Sequence, residues 1–277
     1  MKTVFIATDF SPASRNAAIY GVNMAAYLGA GIVLFHCSDS PVPAPGESPY
    51  DSETEIKSII ETKLLNEVVA IRISEFQSIE IVSATGNPHH QIIEYAKKYN
   101  QSLIVCGMNG EGRLLKKIIG NTAVYLAGMS AMPVMIIPER AVYAPIKNIV
   151  LANDFDIQTD LHTIDMLQSI GERYMAKVYI VRIMPNRASE VNELSFRSER
   201  FVQKLIQLHP EYKFPQSKRI IDGLEDFITT YKIDLLALIP HRHNLLKRLF
   251  LMSTTKQMIF HSHIPLMILP ETKLKLQ

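Results

Sequence analysis

Apolar residues along the 277-residue chain are distributed in two alternating patterns. Short continuous runs, such as Val4 to Ala7 and Leu103 to Cys106, have the length and β-branched content of buried strands. Longer stretches repeat their apolar positions every three or four residues, as an amphipathic helix does. In the first half this predicts strands over residues 2–8, 31–37, 79–83, 102–107 and 133–137. Ser11-Pro12 is an N-cap followed by proline at the first helical position, opening a helix with Ala18, Val22, Ala25 and Leu28 on one face. Ile56, Ile59, Ile60, Leu64, Val68 and Ile71 form a second stripe, and Asn87-Pro88 repeats the cap signal before Ile92, Ile93, Ala96 and Tyr99. Residues 38–52, rich in Pro and Ser, are expected to form a loop.

The pattern then starts again. Lys2 to Phe10 returns as Lys147 to Phe155, and Met132 to Glu139 returns as Ile264 to Glu271, in the same order. The second half is expected to place strands near 147–152, 177–183, 219–221, 234–239 and 265–269. Alternating strands and helices with continuously apolar strands imply an α/β fold of two similar doubly wound parallel-sheet domains. The domains are expected at 1–140 and 146–272. The last strand of each, ending in Ile137 and Leu269, would leave a hydrophobic edge if it closed its sheet, so pseudo-two-fold pairing through these strands is expected. Under that expectation Met135→Lys and Met267→Lys separate or destabilise the halves.

Charge and composition narrow the partners. A formal net charge of +2 with no sustained Lys/Arg run gives no electrostatic footprint for nucleic acid. The two cysteines, Cys37 and Cys106, both lie in hydrophobic stretches and read as reduced, buried thiols. The strand-like Thr3 to Ala7 follows Met1 too closely for a signal peptide, and no apolar run reaches membrane-spanning length. The expectation is a cytoplasmic protein that engages neither nucleic acid nor membrane.

The candidate chemistry follows the fourth strand. Cys106-Gly107 leads into Gly110 and Gly112, and Gly120-Asn121-Thr122 follows after a short segment. Ligands of open parallel sheets sit beyond the carboxyl ends of the strands, and glycines let backbone N–H groups approach phosphate oxygens. Asn121 can cap a helix whose N-terminus attracts anions. Three glycines alone are more simply read as a turn. No Gly-Lys-Ser/Thr is present for a Walker loop, and Thr8 to Ser11 stand where a dinucleotide fingerprint would put its glycines.

Taken together, Gly107-x2-Gly110-x9-Gly120-Asn121, Ala7 to Ser11, Leu34 to Cys37 and Gly86-Asn87-Pro88 resemble the universal stress protein family, in its tandem two-domain form. The resemblance implies an adenine-nucleotide alpha-hydrolase-like, Rossmann-like fold and a site for ATP, with or without Mg2+. By position it implies that Asp9 and the backbone at Ala7 and Cys37 meet the adenosine portion. Cys106 and Gly107 line the same pocket, and Gly110, Gly120, Asn121 and Thr122 hold the phosphates. Cys37 stands where the family often has a hydrophobic residue, and Gln101-Ser102 replaces a usual acidic residue.

In the second half, counting back from the shared Pro-Glu ends puts Ile239, Arg242 and Met252 where the three glycines stand. This copy reads as degenerate, although Asp154 matches Asp9 and Ser253 or Thr254 could still cap a helix. His241, His243, His261 and His263 could form a zinc or copper site, but solvated loop histidines are the plainer reading. His89-His90 reads as surface, and Met129, Met132 and Met135 as packing.

The functional expectation is an ATP-binding stress or signalling protein with one nucleotide per chain, in which occupancy rather than turnover is the output. Its partners are an adenine nucleotide, an unidentified protein, and its own second half as a pseudo-dimer, with a homodimer of chains as a further option. The alternatives are a slow ATPase or phosphotransferase using Asp9, Glu111, Arg113, Lys116 and Lys117, or an interaction module that binds no nucleotide.

Overall fold

The computed structural model describes residues 1–38, 49–71, 73–74, 78–108, 121–152, 164–184, 205–239, 258 and 262–270. It separates into two units, one of Met1–Leu126 with Ile136–Tyr143 and one of Ala127–Met135 with Ala144–Gln277.

The first unit starts with β1 (Thr3–Ala7), α1 (Pro12–Leu28), β2 (Gly31–Ser38), α2 (Pro49–Ile71) and β3 (Ile79–Thr85). It continues with α3 (Pro88–Ala96), β4 (Ser102–Met108), the beginning of α4 (Asn121–Met129) and the end of β5 (Val134–Pro138). The strands run parallel in the order β3-β2-β1-β4. β1 is thus central, and the chain moves outward through β2 and β3 before crossing back to β4. The neighbours β1 and β4 therefore send their following loops in opposite directions, which opens a crevice at their carboxyl ends.

The helices begin where the sequence signals them. The Ser11 side chain accepts from the Ser14 N–H at 3.2 Å, and Asn87 Oδ1 accepts from the His89 and His90 N–H groups at 3.0 and 3.3 Å, each with proline as the first helical residue. Ala18, Val22, Ala25 and Leu28 are all buried, and so are Ile92, Ile93 and Ala96. α2 begins at Pro49, so the expected loop is shorter than 38–52. The buried face of α2 carries Ile60, Leu64 and Ile71, while Ile59 is 48% exposed. Glu67 joins that buried face because Arg15 on α1 reaches its carboxylate with Nη2 at 2.6 Å and Nε at 3.0 Å. A paired, hydrogen-bonded carboxylate is the form in which a glutamate can be buried.

The second unit contains β6 (Asn148–Ala152), α5 (Asp165–Tyr174), β7 (Lys177–Val181), a short 3-10 turn (Ile206–Leu208), β8 (Glu211–Lys213), α6 (Ile220–Tyr231), β9 (Leu235–Leu238) and β10 (Leu266–Ile268). Its strands are parallel in the order β10-β9-β6-β7-β8. The strand expected at 219–221 is instead Glu211–Lys213, and Ile220 opens α6. Leu224 and Phe227 bury the helical face that Ile220 begins, so a short β-branched pair belonged to a 3.6-residue period rather than to a strand.

Register makes the two units comparable residue by residue. Ala7 pairs with Cys106 on β4, and Ala152 pairs with Leu238 on β9. The next residues, Gly107 and Ile239, are therefore equivalent.

Candidate functional site

A cleft of about 310 Å³ opens at the carboxyl ends of β1, β2 and β4. Ala7, Asp9, Cys37, Cys106, Gly107 and Thr122 are among its lining residues. Six residues singled out in the sequence thus converge there from four segments of chain. Gly110 and Gly120 lie outside the described residues, as does the Asn121 side chain, although α4 does begin at Asn121.

The floor is a tight turn after β1. The Ser11 N–H donates to Asp9 Oδ1 at 3.0 Å, closing an Asx turn that leads into the cap of α1. Burial pushes the Asp9 carboxyl up. Hydrogen bonds from the Ser11 and Ser14 hydroxyls and the Ser11 N–H outweigh it and hold the carboxyl below its ordinary value of 3.8. A carboxylate held ionised beside an aqueous cleft is suited to accept hydrogen bonds from a ligand hydroxyl or amine. Under the turn, the buried Thr8 and Ser14 hydroxyls lie 3.1 Å apart, and Thr8 Oγ1 accepts the Phe10 N–H at 3.0 Å.

One wall is apolar, made by Phe35, Pro88 and Ile92, and β2 runs along it to Cys37. The Thr8 N–H donates to Phe35 O at 2.9 Å, so peptide groups at Phe35 face β1. Alternate residues of a parallel strand face the same neighbour. The Cys37 peptide therefore faces the same side just beyond the point where β1 turns away. Its thiol donates to Gly86 O at 3.3 Å. Cys37 is half-buried rather than buried, which corrects the expectation of two sequestered thiols. Cys106 is fully buried, and desolvation pushes its thiol up to about 12.

Gly107 has a second reason to be glycine. A Cβ there would stand 2.4 Å from Ala13 O and 2.8 Å from Ser14 N. No real Cβ tolerates that approach, so Gly107 is what lets the first turn of α1 sit against the end of β4 and close the cleft. In the second unit the equivalent position is Ile239, 4% exposed and so filled by its own side chain. The other expected replacements, Arg242 and Met252, and also Asp154, Ser253 and Thr254, lie outside the described residues.

The rim includes the first turn of α3, where the His89 ring stacks on Tyr125 of α4 with centroids 4.8 Å apart. Burial and then the neighbouring His90 push the His89 imidazole below its ordinary value of 6.5. Among the described residues no group of three or more His, Cys, Asp or Glu could hold a metal ion. Of His241, His243, His261 and His263 only His263 is described, and of the charged residues weighed for catalysis only Asp9 is. Among the described residues no helix is long and apolar enough to cross a membrane.

Sequence reasoning missed Thr8, Ser14, Phe35 and Ile92 as lining residues. Ser11 and Pro88 were visible as helix starts, and the signal was that both helix starts point into one crevice.

Comparison with known proteins agrees with this geometry. The family model described as the universal stress protein family matches residues 1–138. A universal stress protein of Methanocaldococcus jannaschii is 27% identical over 138 residues, covering 49% of this chain and 81% of that protein. Stress response protein NhaX of Bacillus subtilis is 27% identical over 161 residues, covering 48% of this chain and 96% of that protein. The crystal structure of a universal stress protein from Archaeoglobus fulgidus superposes with a TM-score of 0.74 at 14% identity, covering 98% of both chains, which extends the likeness of fold to the second unit. With its first 138 residues matched to that family's model and two α/β units of the same fold, the chain belongs to the universal stress protein family.

Proposed function

We propose that the cleft of the first unit binds ATP, that the second unit binds none, and that occupancy of the single site is the signal the protein delivers to a protein partner in the cytoplasm. The observation that carries this reading is the convergence on one cleft of Asp9, the Cys37 segment, Gly107 and Thr122. At about 310 Å³ the cleft lies at the lower end of small-molecule sites. It also has the division of labour an adenine nucleotide needs. An apolar wall of Phe35, Pro88 and Ile92 suits a planar base, the Asp9 carboxylate suits ribose hydroxyls, and the α4 start at Asn121 suits phosphate oxygens. The equivalence of Gly107 with Ile239 supports one site per chain.

The test is to denature purified protein, identify released small molecules by mass spectrometry, and titrate the stripped protein with ATP by calorimetry. One equivalent per chain is expected, and Gly120→Val is expected to abolish it. Absence of retained or titratable adenine nucleotide, or a stoichiometry of two, overturns the reading. ATP turnover measured on the same protein should not rise above that of Gly120→Val.

A further inference from the structure

Phe10 lies between the two cleft residues Asp9 and Ser11 and has φ 62°, in the left-handed region. Phenylalanine is poorly suited to that region, and such a residue persists only where its surroundings over-determine it. The surroundings are specific. The Phe10 ring packs against the His36 ring with centroids 4.4 Å apart at 38°. His36 Nδ1 lies 2.8 Å from Thr8 O, and since a carbonyl only accepts, Nδ1 carries the proton and donates. Lys63 on α2 places its ammonium 6.0 Å from the Phe10 centroid, at the outer limit of a cation–π contact. Side chains alternate along β2, so Phe35 and Cys37 face the cleft while His36 faces the other side of the sheet. The clamp therefore grips the turn from behind, with Thr8, Phe10 and His36 joined to each other and none but Thr8 lining the cleft.

We propose that Phe10 is a positioning residue whose ring, clamped by His36, holds the Asp9–Ser11 turn in the conformation that aims the Asp9 carboxylate into the cleft. This rests on the nucleotide reading of the cleft. The ring is needed because backbone geometry alone would be met better by glycine, which takes φ near +60° without penalty. Phenylalanine there exchanges local comfort for an anchor that glycine lacks.

Phe10→Gly separates these roles. It satisfies the backbone and removes the anchor, so the protein should stay folded while ATP affinity by calorimetry drops by about tenfold. Asp9→Asn should also weaken binding, and the double variant should be no weaker than Asp9→Asn alone, because Phe10 acts through Asp9. Phe10→Tyr, which keeps the ring, should bind within about twofold of the unaltered protein, inside the scatter of independent substitutions. His36→Leu, which leaves residue 10 in place, should weaken ATP in the same direction as Phe10→Gly. Wild-type affinity in Phe10→Gly, or losses that multiply in the double variant, would overturn the proposal. If the unaltered protein binds no ATP, the nucleotide reading is what fails. The anchor is then decided by carboxyl NMR titration of Asp9, whose midpoint should rise toward 3.8 in Phe10→Gly. An unchanged midpoint overturns it.

Discussion

At the scale of single residues, Gly107 shows how a packing requirement and a binding motif can share one atom's absence. Adding a methyl group there drives it into Ala13 O at 2.4 Å, and a main-chain oxygen cannot swing aside as a side chain would. Gly107→Ala should cost about 1–3 kcal/mol in urea unfolding, as overpacked sites do. Gly31→Ala, where the nearest atom is 3.6 Å away, should be nearly neutral. Asp9 makes a pH-dependent contribution. Its folded value is depressed, so its stabilisation is complete above 3.8 and is lost as pH falls through the folded value. The stability difference between the unaltered protein and Asp9→Asn should therefore shrink as pH falls below 3.8. The thiols should also separate. Burial leaves Cys106 protonated at neutral pH, so in the native protein a thiol-reactive chromophore should label Cys37 at most, and saturating ATP should slow even that. Glu67 was not legible as a buried residue, because its place depends on Arg15, 52 positions earlier, and no local pattern records that pairing.

Among elements, those with strong ends were the ones that could be read. α1 and α3 carry a capping side chain and a proline, and both begin where these stand. β8 was not legible. It is three residues long and half-buried, and Glu211-Tyr212-Lys213 shows no apolar run, so only its pairing with β7 makes it a strand. The helix ends reveal a further difference between the repeats. α1 ends on Gly29 at φ 65°, and α5 ends on Met175 at φ 50° with 88% of its surface exposed. A left-handed cap strains a methionine that packs so little, whereas glycine adopts it freely. Met175→Gly should raise stability by about 0.5–1 kcal/mol, measured as a higher urea midpoint at unchanged slope.

For the whole molecule, the duplication was legible because strand starts and ends recur in order, and the sheet order β3-β2-β1-β4 gave the first copy its crevice. The cleft was legible only in part. Glycines and Asp9 announce themselves, but Phe35 and Ile92 look like ordinary core until topology carries them to the same crevice. The equivalence of Gly107 and Ile239 bears on history as well as on chemistry. Ile239 is buried where the first copy has a glycine, so cutting it back to glycine would not by itself recreate the packing around Gly107. Reversion would first leave a void in the interior, worth about 2–5 kcal/mol of lost stability on the scale of isoleucine truncations. If the second copy binds no nucleotide, as proposed, gaining a site there would require several changes at once, and a duplicated chain of this kind would tend to stay lopsided.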